Sequence, residues 1–314
     1  MFGVHKPVLI SIVGPTAVGK TSLSLALARH FETEIIIADS RQMYQDLNIG
    51  TAKPSKEELS MAPHHLVDWL SPEEELDAER FRQKAEEIIR DRFRDHDILV
   101  VVGGSTLYMQ ALWLGLNEMP SIPEDIRATL NNEFQTSGLA PLLDELQQVD
   151  PLTWNQIDRH NHARVIRALE VYRATGTPIS TFRQQEIETN HNWTHLKIAL
   201  EDDRAALYER IDRRVDLMLE AGLEAEIREL LNDGLDPKAQ SLRSIGYREW
   251  VAHFQGEYDR EEAIRLHKRN SRRYAKRQLT WYRRYEDVQW FQAGETDRVV
   301  SWLETQLGAP HGKP

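Results

Sequence analysis

Short apolar runs that alternate with amphipathic segments predict a parallel sheet covered by helices. The apolar runs that we expect to form buried strands lie at positions 8–13, 34–39, 97–102 and 196–200. Apolar residues recur at helical spacing in the segments between them, at 22–31, 78–94 and 107–114. An alternation of strands and helices is typical of α/β folds, in which the strands run parallel. The sequence therefore predicts an α/β core.

The strand pattern disappears between residues 115 and 196. This stretch instead shows helical periodicity at 123–134, 141–149 and 162–175. A long helical run between two strands of one sheet is typical of an inserted subdomain. We expect a core of residues 1–115 and 196–307, with further helices at 203–221 and 224–232, and an all-helical insertion at 116–195. The tail, 308–314, is predicted to be disordered.

The composition is that of a globular protein without disulfides or membrane spans. Of the 314 residues, 40% are hydrophobic, 28% are charged and none is cysteine, which excludes thiolate metal ligands and cysteine nucleophiles. No apolar stretch approaches the roughly 20 residues of a membrane span. The N-terminus lacks a charged and then apolar leader, so we expect a cytoplasmic protein with no membrane partner.

Positive charge is concentrated near the C-terminus of an otherwise acidic chain. The net charge is −11, yet residues 263–285 carry nine Lys or Arg and no acid, so the rest of the chain carries −20. On a helical projection of 264–285 these cations cover about half of the circle. The alternative is an ordinary solvated helix face, but the missing acids favour a surface for a polyanion.

Residues 14–21, which we call the phosphate loop, carry the most specific chemical motif. The sequence GPTAVGKT follows a predicted strand and precedes a predicted helix, which is the context of a loop that cradles phosphates with backbone N–H groups. Lys20 would reach the terminal phosphates, and the Thr21 hydroxyl would be a ligand to Mg²⁺. The alternative is a glycine-rich turn that binds nothing. The predicted phosphate-binding residues are Gly14, Pro15, Thr16, Ala17, Val18, Gly19, Lys20 and Thr21.

Two further polar residues follow predicted strands and should lie at the same edge of the sheet. Asp39 ends the second strand, and Ser105 follows Gly103 and Gly104 after the third. The carboxyl ends of parallel strands form the ligand-binding edge of open α/β sheets. The alternative for Asp39 is a turn or helix-capping role. The adjacent His64 and His65 have no partners at metal-ligand spacing, so we expect no metal site there.

The order of eight motifs resembles the tRNA dimethylallyltransferases, also called tRNA isopentenyltransferases. The resemblance extends from about residue 8 to residue 291. It rests on GPTAVGKT (14–21), DSxQxY (39–44), IGTAKP (49–54), PHHLVD (63–68), VGGSxLY (102–108), RVIRALEVYRATG (164–176), RSIGYRE (243–249) and KRQLTWYRR (276–284). One departure is Ser105, where the family usually has threonine; serine keeps the hydroxyl and loses a methyl group.

The resemblance implies a fold, a reaction and a set of site residues. The fold is a P-loop kinase-like parallel sheet with an inserted all-helical subdomain. The reaction transfers a dimethylallyl group from its diphosphate to the exocyclic N6 of the adenine 3′ of the anticodon. Lys20 and Mg²⁺ would stabilise the leaving diphosphate, Asp39 would accept the proton of the amine, and Ser105 would hold a reacting group in line.

The resemblance also implies a tRNA interface and a monomeric enzyme. The insertion and the basic helix would bind the anticodon stem-loop from two sides. The residues that the resemblance assigns to tRNA are Asp39, Ser40, Arg41, Gln42, Ser105, Arg127, Ala163, Arg164, Val165, Ile166, Arg167, Arg243, Ser244, Ile245, Gly246, Tyr247 and Arg248.

Three alternative functions stay open from the sequence. A relative that prenylates free adenine nucleotides would need the same loop, Asp and hydroxyl but neither the insertion nor the basic helix. A small-molecule kinase or other NTPase also pairs a phosphate loop with an acid after the second strand, although the NKxD guanine-binding motif of GTPases is absent. An RNA-binding module with a vestigial loop is the third.

Overall fold

The computed structural model describes residues 6–184 and 191–308. Within them, six parallel strands form one sheet in the order β3-β2-β4-β1-β5-β6. The strands are β1 (Val8–Val13), β2 (Ile35–Ile37), β3 (His64–His65), β4 (Ile98–Val102), β5 (Thr194–Glu201) and β6 (Val288–Gln292). The parallel α/β core predicted from the hydrophobic pattern is therefore confirmed.

Helices connect the strands of this sheet. Before β5 they are α1 (Lys20–His30), α2 (Lys56–Met61), α3 (Ala78–Arg92) and α4 (Thr106–Leu114). After β5 they are α10 (Arg204–Glu220), α11 (Leu223–Asn232), a 3₁₀ helix (Gln240–Arg243), α12 (Arg248–Phe254), α13 (Arg260–Tyr282) and α14 (Thr296–Leu307). Leu27 of α1, Leu207 of α10 and Leu303 of α14 pack in one apolar core with Ile10 and Ile12 of β1. Burial on both faces explains why β1 is apolar except at Ser11, whose hydroxyl oxygen accepts the indole N–H of Trp113 at 3.0 Å.

The chain folds as two compact units. The core unit is Met1–Trp113 with Asn190–Pro314, and the helical unit is Leu114–Thr189. The expected insertion ended at residue 195, but Thr194 already pairs with Val8 in the sheet, so that boundary falls inside β5. Gly308 ends α14 in the left-handed conformation, whereas 309–314 of the predicted disordered tail lie outside the described residues.

The helical unit has an apolar core of its own. Its helices are α5 (Glu124–Ser137), α6 (Ala140–Val149), α7 (Pro151–Gln156), α8 (His162–Thr175) and α9 (Ile179–Arg183). Leu130, Leu146 and Leu169, from three different helices, are fully buried in that core. Such a core is the property expected of a separate compact unit.

The residues at 66–69, which follow the two adjacent histidines, have a strand-like pattern in the sequence, but the structure places the short strand before them. The strand consists of His64 and His65, two residues earlier, and it pairs with β2. Leu66 and Asp68 both have positive φ, at 70° and 52°, so the backbone leaves the extended conformation at these residues. β6 was not predicted at all, although Val288 and Phe291 are buried on it.

Helix α13 begins earlier than the predicted 264–285, and its cations are less isolated than the sequence indicated. Lys268 forms an ion pair with Asp216 at 2.6 Å, and Arg272 pairs with Asp212, where both acids belong to α10. Arg273, Lys276 and Arg277 are exposed on the same helix. Some of the basic residues of α13 are therefore neutralised by acids of α10, and others are exposed to solvent. Among the described residues, no helix is long and apolar enough to cross a membrane.

Candidate active site

The phosphate loop joins the end of β1 to the first turn of α1. Gly19 precedes the helix with φ at 100°, a conformation that residues with a side chain rarely adopt. Because α1 begins at Lys20, its unpaired N–H groups and the positive end of its dipole lie at the loop. The loop therefore has the geometry of an anion site at a helix N-terminus.

Lys20 folds back over the loop with a perturbed pKa. Its Nζ donates to the carbonyl oxygens of Gly14 at 3.1 Å and Pro15 at 2.8 Å. Burial lowers the pKa of Lys20 to about 8, the charge of Asp39 opposes that shift, and Arg214 adds to it. A buried lysine beside a second cation gives the loop an excess of positive charge, which suits the binding of an anion.

Arg214 of α10 is a site residue that the sequence analysis missed. Its Nη1 donates to the Thr16 hydroxyl at 3.2 Å, at the front of the phosphate loop. Burial lowers the pKa of this guanidinium, and Asp39 opposes the shift. A guanidinium stays charged at any physiological pH, so Arg214 supplies a permanent positive charge next to Lys20. The only sequence signal was one arginine among several in an amphipathic helix.

Asp39 lies in a turn two residues beyond β2, close to the strand end at which the sequence analysis placed it. Its Oδ1 accepts the N–H of Arg41 at 3.1 Å, so the turn role weighed for Asp39 is realised. The carboxylate can still accept further hydrogen bonds, because its second oxygen and the remaining lone pairs are not used in this turn. The charge of Asp39 also acts on the pKa of Lys20 and Arg214.

Ser105 supports this turn. Its Oγ accepts the N–H of Ser40 at 2.9 Å and donates to the Ser40 hydroxyl at 3.2 Å. The residue is 8% exposed and does not line either of the two cavities described next. In this structure the hydroxyl therefore holds the turn that carries Asp39.

Two adjoining cavities share five lining residues, of which Asp39 is the one carboxylate; the others are Thr16, Thr51, Arg214 and Tyr274. The phosphate-side cavity, about 400 Å³, is lined by the loop from Thr16 to Thr21 and by Asp39. The second cavity, about 280 Å³, is lined by Asp39, by apolar residues such as Ile211 and Met218, and by the exposed arginines of the 243–248 segment. The carboxylate therefore stands between a site for phosphates and a site with both apolar and cationic walls.

Two loops at the second cavity are joined by one carboxylate. Glu226 of α11 accepts the N–H groups of Asn48 at 3.0 Å and Ile49 at 2.8 Å, and also the hydroxyl of Tyr247 at 2.6 Å. The Tyr247 side chain is fully buried. The structure therefore corrects the assignment of Tyr247 to tRNA contact, because its ring fixes the 243–248 segment and does not face solvent.

The residues assigned to tRNA in the helical unit fall into two groups. Ala163, Arg164 and Arg127 are exposed, and Arg167 is partly exposed, whereas the Val165 and Ile166 side chains are buried in the core of that unit. The assignment of those two side chains to RNA contact is corrected for that reason.

A buried carboxylate holds two of these arginines. Glu170, which is fully buried, accepts from Arg127 Nε at 2.7 Å and Nη2 at 2.8 Å, and it also accepts from Arg167. Burial alone would raise the pKa of Glu170, but the hydrogen bonds from both arginines lower it. The two guanidinium groups are therefore held side by side at the surface of the helical unit.

The residues at the phosphate-side cavity fit a magnesium ion bound mainly through its ligand. Among the described residues no cluster of three or more His, Cys, Asp or Glu could hold a metal. Mg²⁺ commonly takes only one or two protein oxygens and completes its shell with phosphate oxygens and water. Thr21 and Asp39 both line this cavity and supply such oxygens.

Comparisons with known proteins agree with this geometry. Residues 42–285 match the family model described as IPP transferase. The chain is 43% identical over 304 residues to the tRNA dimethylallyltransferase of Cytophaga hutchinsonii, covering 97% of this chain and 98% of that protein.

Two solved structures share the fold. The tRNA isopentenylpyrophosphate transferase of Bacillus halodurans is 37% identical with a TM-score of 0.71, covering 96% of this chain and 97% of that one. A eukaryotic dimethylallyltransferase described as acting on tRNA is 27% identical with a TM-score of 0.77, covering 98% and 81%. Since the family model matches most of the chain and the relatives match it over nearly its full length, this chain belongs to the IPP transferase family.

Proposed function

We propose that this protein transfers a dimethylallyl group from dimethylallyl diphosphate to N6 of the adenine 3′ of the anticodon in tRNA. The observation that carries the proposal is the position of Asp39, which lines both the phosphate-side cavity and the second cavity. A group transfer needs its donor and acceptor to meet at one point beside a base. Full-length relatives named tRNA dimethylallyltransferase support the same reaction.

The donor binds by its diphosphate in the phosphate loop. Backbone N–H groups of the loop, Lys20 and Arg214 would surround the phosphates, and the Thr21 hydroxyl would be a ligand to Mg²⁺. When bound, Mg²⁺ supplies further positive charge beside the leaving group. As the allylic C–O bond breaks, its electron pair leaves with the diphosphate, whose growing charge these cations stabilise.

The acceptor reaches Asp39 from the second cavity. The adenine amine attacks the allylic carbon, the new C–N bond forms, and Asp39 accepts the proton that the amine releases. Ser105 contributes by holding the turn at Ser40, on which the orientation of Asp39 depends. An anticodon-loop base has to leave its stack to enter such a cavity, as in other base-modifying enzymes.

The tRNA interface is proposed to include residues of each unit. In the core unit these are Ser40, Arg41, Gln42, Arg243, Ser244, Ile245 and Arg248, and in the helical unit Arg127, Ala163, Arg164 and Arg167. The assignment of Gly246 to tRNA is withdrawn because this residue is buried and its N–H donates to Glu249 at 2.8 Å. Exposed arginines suit phosphate contacts, and loop RNA offers both phosphates and extruded bases. We propose that the protein acts as a monomer in the cytoplasm.

One assay tests the function directly. The protein is incubated with Mg²⁺, dimethylallyl diphosphate and an unmodified anticodon stem-loop RNA, and the digested nucleosides are identified by mass spectrometry. We expect one prenylated adenosine, and none when the target adenine is replaced by purine, which lacks the exocyclic amine. Prenylation of free AMP but not of RNA, or product that forms only with ATP, would indicate one of the alternative functions.

A further inference from the structure

Gln278, on the buried face of α13, connects the phosphate loop to the end of β4. Its Oε1 accepts the N–H of Thr16 at 3.0 Å, and its Nε2 donates to the carbonyl oxygen of Gly104 at 2.8 Å. The residue is 1% exposed, so the amide has no ready substitute partner in solvent. One side chain therefore fixes two backbone segments that follow neighbouring strands, β1 and β4.

The backbone at Gly104 is shaped around this amide. A Cβ atom at position 104 would lie 2.4 Å from Gln278 Nε2, which is closer than real Cβ contacts come. Gly104 does not have a left-handed backbone conformation, so alanine is disfavoured here by the Gln278 side chain and not by φ. The Gln278 amide therefore occupies space that is open only because residue 104 is a glycine.

The pair stands at the front of the diphosphate site. Gln278 lines the phosphate-side cavity together with Lys20, and Arg214 holds the hydroxyl of the same Thr16 whose N–H Gln278 accepts. Pro15 has no N–H and the Thr16 N–H is committed to Gln278, so from Pro15 onward the next N–H group of the loop that remains for phosphate is that of Ala17. The front of the loop is therefore fixed from outside by α10 and α13.

We propose that Gln278 is a positioning residue for the donor, which holds the phosphate loop in its binding conformation before the diphosphate arrives. The proposal rests on the diphosphate site of the proposed function. It adds a residue that affects donor binding from outside the phosphate-loop motif at 14–21. A loop that is already ordered loses less conformational entropy on binding. Without the amide, the Thr16 N–H would lose its buried partner, and the Gly104 carbonyl would keep only the bond from the Tyr274 hydroxyl at 3.4 Å. The loop would then have to be ordered by the ligand itself.

Three variants test this pairing by calorimetric titration with inorganic diphosphate and Mg²⁺. Gln278→Ala removes the amide, and Gly104→Ala displaces it from the opposite side. We expect each to weaken diphosphate binding about tenfold, the order of one hydrogen bond between buried groups. In the double variant, Gly104→Ala should add nothing, because the atom that its Cβ meets is gone. Thr280→Ala, an exposed position on the same helix, is the matched control and should bind as wild type.

A second readout separates positioning from general damage. The KM for dimethylallyl diphosphate should rise in each single variant, while the dissociation constant for tRNA stays within about twofold of the wild-type value. Unchanged diphosphate binding in a folded Gln278→Ala, independent effects of the two substitutions, or an equal loss of tRNA affinity would each overturn the proposal. If Gln278→Ala does not fold, Gly104→Ala decides alone. Diphosphate binding requires no tRNA, so this result is independent of whether the wild-type protein prenylates RNA.

Discussion

The lowered pKa of Lys20 should make the affinity for the donor diphosphate depend on pH in the range above about pH 8. Burial lowers the pKa of its ammonium to about 8 in the free protein, and a bound diphosphate would restore the charged form by its own negative charge. Binding then takes up a proton wherever Lys20 is neutral beforehand. We expect constant affinity well below pH 8 and falling affinity above it.

The size of the effect follows from that pKa. At pH 9 about nine-tenths of a group with a pKa of about 8 is deprotonated, so the affinity should fall about tenfold from its plateau, or about 1.4 kcal/mol, and by about another tenfold at pH 10. The terminal phosphate of the donor loses its last proton near pH 6 and contributes little in this window.

Calorimetry in two buffers of different ionisation enthalpy measures the proton uptake directly. With dimethylallyl diphosphate and Mg²⁺, we expect uptake of about 0.1 proton at pH 7 and about 0.9 at pH 9. Lys20→Met should bind more weakly at every pH and show no uptake between pH 7.5 and 9.5. A flat affinity profile for the wild-type protein, or uptake that persists in Lys20→Met, would refute the assignment of the titrating group to Lys20.

Four further substitutions test other parts of the protein. Asp39→Asn should lower turnover by about 10²–10⁴-fold, the usual loss on removal of a general base, and single-turnover prenylation should show this while filter binding shows near-normal tRNA affinity. Lys276 of α13 is exposed, and if it contacts RNA phosphate, Lys276→Gln should reduce the slope of log tRNA affinity against log salt concentration by about 0.7–0.9. Arg272 of the same helix pairs with Asp212 of α10, so Arg272→Gln should lower the unfolding temperature and leave that slope unchanged. Glu170→Gln should raise the KM for tRNA and leave the KM for dimethylallyl diphosphate unchanged; a parallel rise in both would assign Glu170 to folding alone.

The features predicted from sequence are those that depend on neighbours along the chain. The phosphate loop needs only a strand, a glycine-rich turn and a helix in succession, and all three are adjacent at residues 8–31. Asp39 was placed by the end of an apolar run. Both predictions required local periodicity and one rule about parallel sheets, namely that their carboxyl ends meet at one edge.

The features missed are those that depend on residues far apart in sequence. Gln278 contacts Thr16 across 262 positions, and Arg214 contacts the same residue across 198. A helical projection of α13 shows its cations but not the acids of α10 that pair with Lys268 and Arg272. Pairing between helices is a property of tertiary packing, and no composition or periodicity within one segment contains it.

β6 was missed for a local reason. Its sequence, VQWFQ, is short and has a partly exposed pattern, with Val288 and Phe291 buried and Gln289 and Gln292 exposed. An edge strand of this kind lacks the continuous apolar run that identifies a central strand of a parallel sheet.

The strand order determines how late in synthesis the donor site of the nascent chain can be completed. β1 pairs with β5, and Val8 and its partner Thr194 are separated by 186 positions. At about 5–20 residues per second, the ribosome needs on the order of 10–40 s to make that partner. Until then, the backbone N–H and C=O groups on that edge of β1 have no neighbouring strand to pair with. The helical unit closes its core within its own segment and is free to fold during this delay. The phosphate loop lies before β5, α10 and α13 in the sequence, so it acquires its contacts with Arg214 and Gln278 only after those two helices have left the ribosome. We therefore expect donor binding only in nascent chains that extend through α13.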